Sequence, residues 1–168
     1  MPAKWHMAEA RRIYVIDTSS WLRIDEHPAR NRILDALGKL LENGQLKAPP
    51  EVAKELKKIG VVQGWFAVNK EDIIEDRNSD IDFLKKVGEV THQFPAMAAA
   101  RSSKEKADQY VVALAACGSP NPGPWIVVAD ETLDRRPNRK IPTACGAFGV
   151  QCVSFLEMLR HEFPDDGW

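Results

Sequence analysis

Two short, wholly apolar runs most constrain the fold of this 168-residue chain. Ile13–Ile16 and Trp125–Ala129 are dominated by isoleucine and valine, which is typical of strands buried on both faces of a parallel sheet. Val150–Val153 is a third strand candidate, and Gln45–Ala48 is a plausible short strand. Helical patterns separate these runs, so the sequence predicts an α/β fold with helices on both faces of a parallel sheet.

The helical segments show the expected spacing and end signals. Apolar residues recur at helical spacing in the segment from Ile33 to Leu41 and again after Asp80. Ser102 and Glu105 form a capping-box pattern that predicts the start of a helix continuing through Leu114. Further helices are expected from Glu51 to about Ile59 and over Phe155–Arg160, whereas the pattern between Gly60 and Asn69 is ambiguous.

Length and composition predict a single domain over residues 1–168 that is soluble and cytoplasmic. The hydrophobic fraction of 44% and charged fraction of 28% are ordinary for a globular protein. The net charge of -1 argues against a nucleic-acid coat or a membrane-surface protein, but a local basic patch is enough for a nuclease. The three cysteines form no C-x-x-C pair, which favours a reducing compartment. No apolar run approaches the roughly 20 residues of a membrane span.

Carboxylates follow the two clearest strands. Asp17 comes directly after the first, and Asp130 and Glu131 follow the later one. In open parallel sheets, sites form at the carboxyl ends of strands. Glu55 on a predicted helix and Asp108 near the start of another would add two more acids. If these groups converge, their oxygens suit Mg²⁺ or Mn²⁺, which would polarise a phosphate and activate water.

Each acid also has a simpler interpretation. Asp17 is a favourable helix N-cap, and Asp108 is favourable near a helix start because of the helix dipole. Glu51, on the same helix face as Glu55, suits a first turn for the same reason. Glu55 suits a surface ion pair, and the acids after the later strand suit a turn. These interpretations do not explain why all the acids fall where one cleft would use them.

The ordered set of motifs resembles the PIN-domain nucleases, including the VapC-type toxins of bacterial toxin–antitoxin pairs. The matching segments are Tyr14–Ser19, Val52–Leu56, Ala107–Ala115 and Val127–Glu131, and the tail from Lys140 to Arg160 looks like a PIN-like subfamily. The resemblance implies a PIN-like three-layer α/β/α fold with a central parallel sheet of four to five strands. It also implies a metal-dependent endoribonuclease, an antitoxin partner and a homodimer.

Carried over by position, the resemblance assigns the catalytic acids to Asp17, Glu55, Asp108 and Glu131. Asp17, Asp108 and Glu131 would hold Mg²⁺ or Mn²⁺, with Asp130 as a neighbour or substitute ligand. Ser19 matches a small polar residue of the site. Ala129 stands where the family usually has threonine, which removes a hydroxyl from the surroundings of the metal.

A basic run follows the last acid. Arg135, Arg136, Arg139 and Lys140 are expected to bind the RNA backbone, and the alternative is a solvated surface loop.

Other functions remain open at this point. One alternative is a PIN-like scaffold that binds RNA or a protein partner without cleavage. A phosphatase with Asp17 as nucleophile would usually need a second acid where Ser19 stands. A Rossmann enzyme is disfavoured because no G-x-G-x-x-G follows the first strand.

Overall fold

Strands and helices alternate along the chain in the computed structural model, which describes residues 10–56, 60–98, 106–131 and 140–168. The described strands are β1 (Ile13–Ile16), β2 (Leu46–Lys47), β3 (Trp125–Val128) and β4 (Gln151–Val153). The described helices are α1 (Thr18–Glu26), α2 (Arg30–Glu42), α3 (Pro50–Leu56), α4 (Gly60–Val68), α5 (Lys70–Ile73), α6 (Ile81–Gln93), α7 (Pro95–Ala98), α8 (Asp108–Ala116), α9 (Ile141–Ala147) and α10 (Phe155–Glu162). A 3-10 turn covers Pro164–Asp166.

The described strands form one parallel sheet in the order β2-β1-β3-β4. β1 pairs with β3 along its whole length, with Ile13 opposite Trp125 and Ile16 opposite Val128. All of β1 is buried, because helices cover the sheet and only apolar side chains suit its central strands. The α/β class with a parallel sheet flanked by helices is thereby confirmed, and the arrangement is consistent with three α/β/α layers.

Most predicted helices are present. The ambiguous segment after Gly60 forms α4, and the helix predicted from Glu51 is present as α3, whose described part runs to Leu56. The capping-box residues Ser102 and Glu105 lie outside the described part of the chain. α9 was not predicted, since proline and glycine make its seven residues poor helix formers; it forms where Ile141, Ala144 and Cys145 are buried. No helix of the described part is long and apolar enough to cross a membrane.

The register of β1 and β3 places their following acids at one edge of the sheet. The Asp17 N–H donates to the Val128 carbonyl at 2.9 Å, so the ends of the two strands are held together. The chain turns into α1 immediately after Asp17, whereas Asp130 and Glu131 follow β3. The carboxyl edge of the sheet therefore carries the acids of two neighbouring strands.

Candidate active site

Asp17 is both a helix cap and a buried acid at the end of β1. Its Oδ2 accepts from the Ser19 N–H at 2.9 Å, as expected for the N-cap of α1. The side chain is only 3% exposed, and Oδ1 is buried with no hydrogen-bond partner among the described residues. The N-cap interpretation is thus correct but accounts for one oxygen only. A buried carboxylate oxygen without a donor costs free energy unless something positive approaches it.

Glu55 is held inside the protein and not paired at the surface. Its Oε1 accepts from the Ala107 N–H at 3.0 Å, and its Oε2 accepts from the Thr18 hydroxyl. Glu55 therefore joins α3 to the start of α1 and to the residue before α8. Thr18 was not identified from the sequence as a site residue, because a threonine at a helix start is normally read as part of a cap.

Asp108 is the first residue of α8 and is half-buried. Burial raises the pKa of its carboxyl to about 8, helped by the negative charges of Asp17, Glu131 and Glu55, while Lys106 opposes the rise. Because these three carboxylates act on Asp108, the four acids interact electrostatically with one another.

The pKa of Asp17 is raised to about 6, mainly by burial. The hydrogen bonds from Ser19 lower this pKa, and the charges of Glu131 and Glu55 raise it. The same acids thus act on both aspartates. The structure brings together the four side chains that were assigned from the sequence as catalytic acids.

The two acids after β3 are used differently. Asp130 Oδ2 accepts from the Ser20 hydroxyl and from the Phe155 N–H, the latter at 3.1 Å, so this carboxylate joins the end of β3 to α1 and α10. Glu131 Oε2 accepts from the Ile141 N–H at the start of α9, at 2.9 Å. The charge of Glu131 raises the pKa of both Asp17 and Asp108, whereas the Asp130 carboxylate is bound by the two donors just described. These contacts favour Glu131 over Asp130 as the fourth acid of the cluster.

Ser19 connects the two strand ends through its side chain. Its hydroxyl accepts from the Asp130 N–H at 3.1 Å, while its own N–H donates to Asp17. Ser19 therefore fixes the distance between the two acidic segments. Its predicted role in binding substrate is not tested by these contacts.

The predicted basic track falls mostly outside the described residues. Arg135, Arg136 and Arg139 belong to the part of the chain that is not described. Lys140 is half-buried and is the N-cap residue of α9, without a side-chain cap hydrogen bond.

The burial of Cys145 and of Glu51 had no clear signal in the sequence. Cys145 is buried on α9, and its thiol is hydrogen-bonded with that of Cys152; this bond, burial and the nearby charges of Asp17 and Glu131 raise its pKa. A thiol that resists ionisation is a poor metal ligand, which argues against Cys145 as one. Glu51 lies in the first turn of α3, as predicted; it is also buried and accepts from the Asn78 amide at 3.2 Å.

The acidic cluster contains only oxygen donors, yet its oxygens do not already surround one point. Across residues 10–56, 60–98, 106–131 and 140–168, no three acid, imidazole or thiol groups are close enough to hold an ion as they stand. The chemistry of the cluster nevertheless fits a hard divalent cation, because carboxylates from four segments interact electrostatically and Asp17 Oδ1 has no donor among the described residues.

Comparison with known proteins gives one result. The family model described as a domain of unknown function (DUF4411) matches residues 14–163. No curated protein and no solved structure matches the chain. The matched range contains all four clustered acids and all described strands except the first residue of β1. The chain therefore belongs to the DUF4411 family.

Proposed function

We propose that this protein is a metal-dependent endoribonuclease that hydrolyses RNA phosphodiester bonds. The observation that carries the proposal is the electrostatic interaction of Asp17, Glu55, Asp108 and Glu131 near the carboxyl edge of the parallel sheet: burial raises the pKa of both aspartates, and the charges of the neighbouring acids raise it further. Four neighbouring carboxylates repel one another, so their ionised state is unfavourable without a positive partner. Such a cluster is explained if it serves to hold a cation.

Asp17, Asp108 and Glu131 would hold Mg²⁺ or Mn²⁺ through oxygen ligands. The unpartnered Asp17 Oδ1 supports this assignment, because a cation would supply the positive partner that the described residues do not provide. When bound, such an ion polarises a phosphate oxygen and activates a water molecule for in-line attack. Glu55 completes the anionic site, and its bonds to Thr18 and the Ala107 N–H keep it in place.

Asp130 acts as a positioning residue in this proposal. Its carboxylate fixes the start of α10 and the Ser20 hydroxyl, and its N–H is held by Ser19. Asp130 thereby orients the backbone that presents Glu131.

The remaining parts of the functional hypothesis rest on the PIN-like motifs. Arg135, Arg136, Arg139 and Lys140 would bind the RNA backbone. The protein would act in the cytoplasm as the toxin of a toxin–antitoxin pair, as a homodimer inhibited by a small antitoxin.

A catalytically weak scaffold is the second candidate. Ala129 favours it, because this buried residue offers no hydroxyl to the site where the related motif has threonine. Such a protein would bind RNA or a partner through the same edge of the sheet without cleaving.

Incubation of a mixed RNA pool with purified protein and Mg²⁺ or Mn²⁺ tests the proposal. We expect cleavage that is lost with EDTA and reduced by roughly 100-fold or more in Asp17→Asn, since an anionic ligand of the metal is removed. Asp35→Asn on the exposed face of α2 is the matched control and should cleave like the wild type.

The absence of cleavage by folded wild-type protein with every metal would refute the nuclease proposal. It would leave the scaffold as the better explanation. Metal-independent cleavage, or full activity of Asp17→Asn, would refute the assigned site.

A further inference from the structure

α4 presents an uncharged surface to solvent. The segment Gly60–Val68 contains no charged residue, yet Val61 is 50% exposed and Val68 is 86% exposed. The helix is firmly anchored on its other face, because Phe66 packs edge-on against the buried Trp21 with ring centroids 5.3 Å apart. The start of α4 is held by Asp25, whose Oδ1 accepts from the Val62 N–H at 3.0 Å.

A cleft of about 360 Å³ lies between α3, α4 and the start of α5. Leu56 and Phe66 lie at the base of the cleft and are almost fully buried, while the half-buried Ala53 and the exposed Ala67 present the accessible apolar surface. The volume is at the lower end of the range for small-molecule sites. The cleft can therefore accept a flat apolar group of modest size.

Lysines supply the charge of this cleft. Lys54 and Lys70 both line it, and none of the described lining residues is acidic. The Lys54 side chain is 61% exposed, with Nζ 3.9 Å from the buried Glu51 Oε1. No ion pair involves Lys70 within the described residues. An apolar wall with cations at its rim suits a ligand that has an apolar body and a negative charge.

The cleft shares α3 with the acidic cluster. Glu55 reaches Thr18 and the Ala107 N–H on one side of this helix, whereas its neighbours Lys54 and Leu56 line the cleft. A helix with its side chains is roughly 10–12 Å across. A single strand of RNA can therefore reach from the cleft, past α3, to the acidic cluster within a few nucleotides.

We propose that the cleft between α3, α4 and α5 binds a nucleotide of single-stranded RNA that flanks the cleaved bond, with the base against Ala53 and Ala67 and phosphate near Lys54 and Lys70. This inference rests on the proposed ribonuclease function. A nucleotide combines a flat apolar base with an anionic phosphate, and so matches both parts of the cleft. An acidic peptide of a partner protein shares the charge but has no reason to lie beside the acidic cluster.

The test is the binding of a labelled single-stranded RNA of mixed sequence to the full-length protein in EDTA, measured by fluorescence anisotropy over a series of salt concentrations. Removing one lysine that binds a phosphate should reduce the slope of log K against log salt by about 0.7. Lys70→Ala should therefore bind about fourfold more weakly at about 0.15 M salt. Lys54→Ala should behave alike, and Lys85→Ala on exposed α6 is the matched control with no expected change.

Ala67→Trp tests the apolar part of the cleft separately. Ala67 is exposed on α4, so tryptophan can fill the cleft without entering the core. Affinity should fall while the salt slope stays that of the wild type. Lys70→Ala and Ala67→Trp leave the Lys54–Glu51 pair intact, so their effects do not depend on Glu51 losing its partner.

The outcomes separate this inference from the proposed function. RNA binding that depends on Lys70 and Ala67, in a protein that never cleaves, would support the cleft and refute the nuclease. Cleavage by the wild type, with binding unchanged in Lys70→Ala and Ala67→Trp, would refute the cleft and retain the nuclease. Binding of an acidic peptide in the cleft, with no binding of RNA, would refute the cleft as an RNA site, and the cleavage assay would still decide the nuclease.

Discussion

Replacing Asp17 by asparagine should stabilise the metal-free protein at pH 8. A pKa of about 6 in place of 3.8 corresponds to a cost of about 3 kcal/mol for keeping this carboxylate ionised in the fold. Asparagine has the same shape and retains an oxygen that can accept from the Ser19 N–H, so the α1 cap is preserved. We therefore expect the free energy of unfolding to rise by up to about 3 kcal/mol, or the Tm by roughly 6–12 °C.

The stabilisation expected from Asp17→Asn depends on pH. Because the pKa of Asp17 is higher in the folded state, the folded protein binds more protons than the unfolded chain between pH 3.8 and about 6. The contribution of Asp17 to the free energy of unfolding is therefore fully present at low pH and is lost as pH rises through that window. Asp108, with a pKa of about 8, extends the loss to higher pH. The gain from Asp17→Asn should be close to zero at pH 4 and largest above pH 6.

Urea unfolding with EDTA at pH 4, 6 and 8 measures the effect for the wild type and Asp17→Asn. Asp35→Asn, an exposed aspartate on α2, controls for the loss of one negative charge and should change the free energy by less than about 0.5 kcal/mol. An equal gain at pH 4 and pH 8 would show that ionisation of the buried carboxyl is not the cause. A loss of stability at pH 8 would contradict the cost assigned to keeping the buried Asp17 carboxyl ionised.

Further outcomes follow from contacts of named side chains. Asp130→Ala should lower the free energy of unfolding by about 1–3 kcal/mol in urea titrations, because the Phe155 N–H is left without its acceptor. Glu131→Gln keeps an oxygen for Ile141, so it should change stability less than Asp130→Ala while weakening Mn²⁺ binding. Tyr14→Phe should cost about 1.5–3 kcal/mol in the same assay, since the hydroxyl donates to Glu162 at 2.6 Å. In the native protein Cys145 should react with iodoacetamide far more slowly than in urea, because burial and its hydrogen bond with the Cys152 thiol raise its pKa.

The two central strands of the sheet, β1 and β3, were predictable because they are uniformly apolar. Ile13–Ile16 and Trp125–Val128 carry no charged residue, and only a strand covered on both faces suits such a run. Once these strands are assigned, the acids that follow them become candidate site residues, because parallel strands end at the same edge of a sheet. α9 was not predictable, because its helical form depends on burial of Ile141 and Cys145 and not on local propensity.

The separate roles of the acids also required the structure. Sequence spacing does not show that the Asp130 carboxylate accepts from the Phe155 N–H at the start of α10. Nor does it show that the charge of Glu131 raises the pKa of Asp17. Glu51 lies in the first turn of α3, where the helix dipole favours an acid, as predicted from the sequence, but its burial by tertiary packing was not predicted. Such tertiary contacts between distant segments have no local pattern in the chain.

Titration of the metal-free protein with Mn²⁺ in a calorimeter tests most directly whether the acidic cluster is a cation site. We predict that the wild type and Asp35→Asn bind Mn²⁺ alike, and that Asp17→Asn and Glu131→Gln bind roughly tenfold more weakly or worse, because each removes an anionic ligand. The same affinity in all four proteins, or no binding by the folded wild type, would contradict a cation site at the acidic cluster.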